Sequence, residues 1–250
     1  MGEVRVIGLE GLPEVRPGDD LAGLILAALH RQGLGLQDGD VVVITQKVVS
    51  KAEGRLVDLT TVEPSAFALN IASRTGKDPR HVEVVLRESV RIVRMDRGVL
   101  IAETRHGFVC ANAGVDASNV GPGSVVTLLP EDPDRSAARI RDRLMAATGV
   151  DIAVIISDTF GRPWREGITN VAIGVAGMLP IRSYLGCQDP YGYPLRVGNV
   201  AVADELASAA ELVTGKLLGI PVAIIRGYDY PRGEGNARML VRPAERDLFR

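Results

Sequence analysis

Little in this chain supports thiolate metal chemistry, a disulfide framework or a membrane span. It has 2 cysteines and 3 histidines in 250 residues. Cys110 and Cys187 lie far apart, and neither belongs to a CxxC or Cys/His ligand spacing. Zinc and a disulfide scaffold are therefore both unsupported, and a reducing compartment fits. No uninterrupted apolar stretch reaches the roughly 18 residues a spanning helix needs, so no membrane association is expected. Residues 1–8 lack a charged-then-apolar leader pattern, and Val6 stands where myristoylation after Gly2 prefers Ser or Thr; the expected location is cytoplasmic. One-sided charge is missing too. With 29 Lys and Arg against 31 Asp and Glu, the net charge is −2. No basic field exists to hold nucleic acid, so any anion must be met locally.

The common nucleotide and nucleophile signatures are also absent. No GxxxxGK[ST] occurs; the nearest approach, Gly215-Lys216, has Ala210 in place of the first glycine and Leu217 in place of Ser or Thr. A GxGxxG between strand and helix is missing, as is a GxSxG elbow for covalent acyl transfer. His30, His81 and His106 have no carboxylate or serine partner at a recognisable spacing and read as structural or surface residues.

What is present is a core-forming composition, 46% hydrophobic and 24% charged, with 28 glycines. Residues 4–8, 41–45, 125–129, 152–156, 171–175 and 222–225 read as strands, and residues 90–95, 99–104 and 107–111 as an antiparallel meander. Helices are expected over 21–31, in two short pieces within 64–90 broken at 76–79, from a cap at residues 134–136 through 147, and over 204–213. Residues 50–55 read as a polar, glycine-punctuated loop. Meanders mixed with helical pairs point to an α+β fold with mixed and antiparallel sheets and packed helices. One module over residues 1–250 is expected, built as two interleaved subdomains whose boundary no linker marks.

Two acidic segments follow apolar runs. Residues 112–119 (NAGVDASN) contain Asp116 beside Ser118 and Asn119; residues 157–162 (SDTFGR) contain Asp158 beside Thr159. Each aspartate alone could simply close a turn on its own backbone. Together they form a hard-oxygen set suited to a divalent cation shared between two loops. Lys47 and Lys51, four apart after a strand end, are either a solvated basic loop or the ammonium cluster a triphosphate needs. Trp164, close to Arg162 and Arg165, could shield a sheet edge or wall a pocket.

Residues 11–14 (GLPE), 39–55 (GDVVVITQKVVSKAEGR), 112–119 (NAGVDASN), 157–164 (SDTFGRPW) and 172–177 (AIGVAG), in this order and over about residues 5–245, resemble the coenzyme F420-0:L-glutamate ligase family in its stand-alone form. The resemblance implies a homodimeric ligase with GTP as co-substrate and Mg or Mn as divalent cation, with room for a monovalent cation such as K. Such an enzyme forms an amide between L-glutamate and the carboxylate of F420-0 through an acyl phosphate, with further γ-linked additions open. It implies Asp116 and Asp158 as catalytic metal ligands, with Thr159 touching a second cation. Leu12, Pro13, Glu14, Val15, Gln46, Lys47, Lys51, Asn119, Gly215 and Lys216 would line the GTP. One departure stands out: archaeal members carry a longer polar loop near residues 214–220 with an oxygen ligand for the second metal, where this chain has Lys216. A protonated lysine cannot ligate a cation, so either that metal is held otherwise or Lys216 meets phosphate. Arg162, Arg165 and Arg196 are candidates for docking carboxylates. Two rival readings remain: a ligase on the same scaffold with a different carboxylate acceptor, and a non-catalytic module that binds GTP and metal.

Overall fold

The computed structural model describes residues 2–118 and 124–247. In chain order, β1 (Arg5–Gly8) leads to α1 (Leu21–Arg31), β2 (Val41–Thr45), α2 (Gln46–Ala52) and β3 (Leu56–Asp58). The helical pair α3 (Ala66–Thr75) and α4 (Pro79–Arg87) precedes the meander β4 (Ser89–Asp96), β5 (Val99–Thr104) and β6 (Val109–Ala111). After β7 (Val125–Thr127) come α5 (Pro133–Thr148), β8 (Ala153–Gly161) and β9 (Ile168–Ala176). A short pair, β10 (Arg182–Ser183) and β11 (Asn199–Val200), then α6 (Val202–Thr214) and β12 (Val222–Arg226) complete the regular structure.

The main sheet is mixed, in the order β1-β12-β2-β8-β9. Its centre is the one parallel pair, β2 with β8; the other pairings are antiparallel. That placement follows from composition. Val41 to Ile44 and Ala153 to Ile156 are buried without polar interruption, as a strand covered on both faces must be. α5 packs on β8 and β9, while α6 runs across the sheet from β9 to β1. Each fully buried Ile of β8 stabilises the fold by about 1.5–3 kcal/mol, enough for the sheet to carry charged groups at its edge.

A second apolar cluster joins Ala68, Ile71, Val82 and Val85 of the helical pair to Leu100 and Ala102 of the meander and Val126 of β7. Local chemistry sets the helix ends here. Ser65 caps α3 through Ala68 N–H, Gly76 ends it in the left-handed region, and Asp78 with Pro79 starts α4. The fold is α+β with mixed and antiparallel sheets, as the sequence indicates. No helix among the described residues is long and apolar enough to cross a membrane.

Three local expectations are corrected. The first half of the loop expected over 50–55 is helix, since α2 extends to Ala52; its buried Val49 and Ser50 anchor it on the core, and Gly54, at φ +69°, makes the turn. Asp158 and Thr159 are not in a loop beyond a strand. β8 continues to Gly161, pairing Asp158 with Val171 and Thr159 with Asn170 of β9. The cap of α5 is Asp132, accepting from Arg135 N–H, whereas Asp134 instead accepts from Val175 and Ala237 N–H.

Candidate active site

Asp116 is aimed by its backbone. Asn112, Ala113 and Gly114 all take left-handed φ values of 53°, 52° and 74°, which turns the chain sharply after β6. Lys77, from the start of the α4 side of the helical pair, donates to Asn112 Oδ1 at 2.7 Å and steadies that turn. Asp116 then pairs with Thr127: its N–H donates at 3.0 Å and its C=O accepts at 2.8 Å. The carboxylate accepts from Ser118 N–H at 2.7 Å, which is the turn-closing role, and from Lys47 Nζ at 2.8 Å across the cleft. Burial pushes the Asp116 carboxyl up, but Lys47 and the Ser118 donors outweigh it and hold the group below its ordinary value.

Asp158 reaches the same place from the central sheet. The β8–β9 register shifts between Ile156 and Ser157, an irregularity of the kind that re-aims side chains beside functional sites. Burial raises its carboxyl to about 6, with the Asp116 charge adding to the rise while Thr159 N–H, Lys47 and Lys216 oppose it. Two carboxylates that feel each other's charge, one of them made harder to ionise, would be relieved by a cation between them. Cys110 nearby is pushed to about 12 by burial and by the Asp158 charge, so its thiol stays protonated and unreactive.

A chain of polar contacts continues from Asp158's neighbour. Lys216 Nζ donates to Thr159 Oγ1 at 2.9 Å, Thr159 Oγ1 donates to Asn170 Oδ1 at 2.7 Å, and Asn170 Nδ2 donates to Glu211 Oε2 at 2.8 Å. Asn170 is a buried polar residue inside a β-branched strand, and Glu211 sits one turn before the end of α6. Sequence reasoning missed both. Asn170 carried a signal in its polar interruption of β9; Glu211 reads as an ordinary solvated position of an amphipathic helix.

The lysine pair is better ordered than a solvated loop. Four residues apart on α2, Lys47 and Lys51 share a helix face directed at the cleft. Lys51 is held by Glu14 at 2.5 Å, and Gln46 accepts from Ser50 at 2.8 Å. The cleft measures about 1090 Å³ and is lined by Leu12, Pro13, Glu14, Val15, Gln46, Lys47, Lys51, Asp116, Asp158, Thr159, Gly215 and Lys216. Asn119 lies outside the described residues. Trp164 is 79% exposed at the tip of the β8–β9 hairpin and, like Arg165 and Arg196, is not part of the cleft lining. Arg162 folds back on the hairpin, donating to the carbonyls of Glu166 and Gly167. The histidines also lie outside the lining, though half-buried His81 feels the charges of Lys77, Asp78 and Asp116.

The donor set suits a hard divalent cation. Two carboxylates and the Thr159 and Ser118 hydroxyls are all oxygen ligands, the choice of Mg and Mn over softer ions. Among the described residues no group of three or more His, Cys, Asp or Glu that could hold a metal ion is found.

Residues 11–227 match the sequence model of the family described as F420-0:Gamma-glutamyl ligase. Among curated relatives, the chain is 53% identical over 250 residues to the Coenzyme F420:L-glutamate ligase of Methanothermobacter thermautotrophicus, with 99% of each chain covered. It is 50% identical to the protein of that name from Methanopyrus kandleri over 258 residues, covering 100% of both. Against the Methanocaldococcus jannaschii protein of that name, identity is 45% over 249 residues, covering 99% of this chain and 97% of the relative.

Proposed function

This chain belongs to the F420-0:gamma-glutamyl ligase family, and from that premise we propose that it uses GTP and a divalent cation to join L-glutamate to the carboxylate of F420-0. The ligase class and the glutamate and F420 substrates follow the family. The supporting observation is the approach of Asp116 and Asp158 in one cleft, with Lys47 bonded to the first. Asp116, Asp158 and Thr159 would hold Mg or Mn, which when bound supplies charge neutralisation along the triphosphate.

In this reading Lys47, Lys51 and Lys216 meet phosphate oxygens, and Leu12 to Val15, Gln46 and Gly215 flank the nucleotide. The γ-phosphoryl group passes to a carboxylate oxygen of F420-0, giving an acyl phosphate and GDP. The α-amine of glutamate then attacks the acyl carbon; the C–N bond forms, the C–O bond to phosphate breaks, inorganic phosphate leaves and the amine proton goes to solvent. Phosphoryl transfer asks the protein chiefly for alignment and charge stabilisation, and the residues gathered in the cleft can provide both. A homodimer fits the exposed Tyr191, Tyr193, Val197, Leu212 and Leu217, large apolar side chains a second copy would cover.

Mass analysis after incubation with F420-0, L-glutamate, GTP and Mn tests the proposal. The expected result is a product heavier by one or more glutamyl residues, with one GDP released per addition. Product formed equally well with ATP, or formed in full in the presence of excess chelator, would overturn the nucleotide or the metal assignment.

A further inference from the structure

Resting on the glutamate-ligase reading above, we propose that Glu211 receives the α-ammonium group of the incoming L-glutamate. Four acidic side chains line the cleft: Glu14, Asp116, Asp158 and Glu211. Two are already neutralised, Glu14 by Lys51 at 2.5 Å and Asp116 by Lys47 at 2.8 Å. Asp158 feels the charge of Asp116, and that pair is accounted for by a divalent ion. Glu211 is placed differently. Its Oε2 accepts two neutral hydrogen bonds, from Asn170 Nδ2 at 2.8 Å and from Thr214 Oγ1 at 3.3 Å. Among the described residues no lysine or arginine pairs with it, and no three-residue acidic or histidine cluster forms around it.

A half-buried carboxylate whose only partners are neutral donors has no ion pair, and it suits a monovalent, hydrogen-bonding cation. An α-ammonium, with its three N–H donors, is such a group. The receiving oxygen is preset. Asn170, 3% exposed, is fixed on its other side by Thr159 at 2.7 Å, so Oε2 is held toward β9 in a residue that lines the cleft. Lys216 bonds to the same Thr159, which puts one negative and one positive group at either end of a short neutral bridge. Once the ammonium docked there has released one proton to solvent, the resulting amine shares the cleft with Asp158 and the proposed phosphoryl-transfer groups.

Steady-state kinetics with F420-0, GTP and Mn test the assignment, comparing wild-type protein with Glu211→Gln and using glutarate, which lacks the amine, as an inhibitor. Loss of a charged hydrogen bond should raise KM for L-glutamate roughly 10- to 100-fold. KM for GTP, the Mn and K requirements and the inhibition constant of glutarate should not move. An unchanged glutamate KM overturns the proposal, as does a shifted Mn or K requirement, which would make Glu211 a metal ligand. A parallel weakening of glutarate would mark distortion of the cleft and equally refute it. If Glu211→Gln does not fold, Thr214→Val removes one orienting donor at constant volume; a selective few-fold rise in glutamate KM is expected, and no change sinks the idea. Failure of the wild-type protein to use glutamate at all would instead bring down the ligase reading, and this proposal with it.

Discussion

Lys47 Nζ lies 2.8 Å from Asp116 Oδ2, so one of the two acids that meet in the cleft already has a cation on it. In the proposed reading a divalent ion on Asp116 would compete with that ammonium, and Lys47, which also bonds Ser118 Oγ at 3.0 Å, would turn toward the phosphate the ion brings in. Lys47→Gln is therefore expected to lower kcat/KM for GTP by roughly 100-fold, the scale of losing a charge-assisted contact made in the transition state. Stability should fall by less than about 1 kcal/mol, because the pair is partly exposed. GDP release and urea unfolding check the two halves. A large loss of stability with normal GTP kinetics would make the pair a structural bridge.

The raised Asp158 carboxyl has a pH signature. Its folded value, about 6, lies above the ordinary 3.8, so the unfolded chain gives up its proton first. The penalty is absent below about pH 4, grows through pH 6 and stays constant above, up to about 3 kcal/mol. Cation binding needs the ionised form and removes the penalty. Saturating Mn should therefore raise Tm more at pH 8 than at pH 5 by several degrees, read by calorimetry. Equal increments at both values would mean that Asp158 does not bind the ion.

Asp158→Ala follows from the same burial. The substitution takes a costly carboxylate out of the edge of the sheet, so the cation-free protein should be as stable as wild type or slightly more so above pH 6. Turnover should disappear, with no GDP formed in the presence of all substrates. Retained turnover at the wild-type rate would remove Asp158 from the catalytic set.

The two acids were legible because each follows an apolar run and is flanked by small polar residues, a local pattern that needs no knowledge of the fold. The helix bearing Lys47 and Lys51 was not legible. α2 has seven residues, its preceding Thr45 makes no side-chain cap, and tertiary burial of Val49 and Ser50 holds it. Asp158 read as a loop residue because only the β9 partner strand, with Val171 opposite it, extends β8 past the apolar run. Glu211 gave no sign, since its meaning depends on Asn170, 41 positions away. The missing glycine motifs argue against P-loop and dinucleotide-binding signatures, whereas the mixed order of the main sheet depends on pairings between distant segments that periodicity does not encode.

Gly114 tests how tightly the Asp116 turn is specified. Its φ of +74° disfavours any side chain, and a Cβ there would lie 2.6 Å from Leu129 Cγ. Leu129 is 2% exposed and has little room to yield. Gly114→Ala should thus cost about 2–4 kcal/mol, combining left-handed strain of about 1 kcal/mol with overpacking of about 1–3 kcal/mol. The double variant Gly114→Ala, Leu129→Ala would relieve the clash but keep the backbone strain and open space at Leu129, so the coupling between the two changes should be favourable in a thermodynamic cycle. Because Asp116 lies two residues on, the single variant should also weaken Mn activation in protein that remains folded. A variant with wild-type stability and an unchanged Mn requirement would show that the turn does not aim the carboxylate.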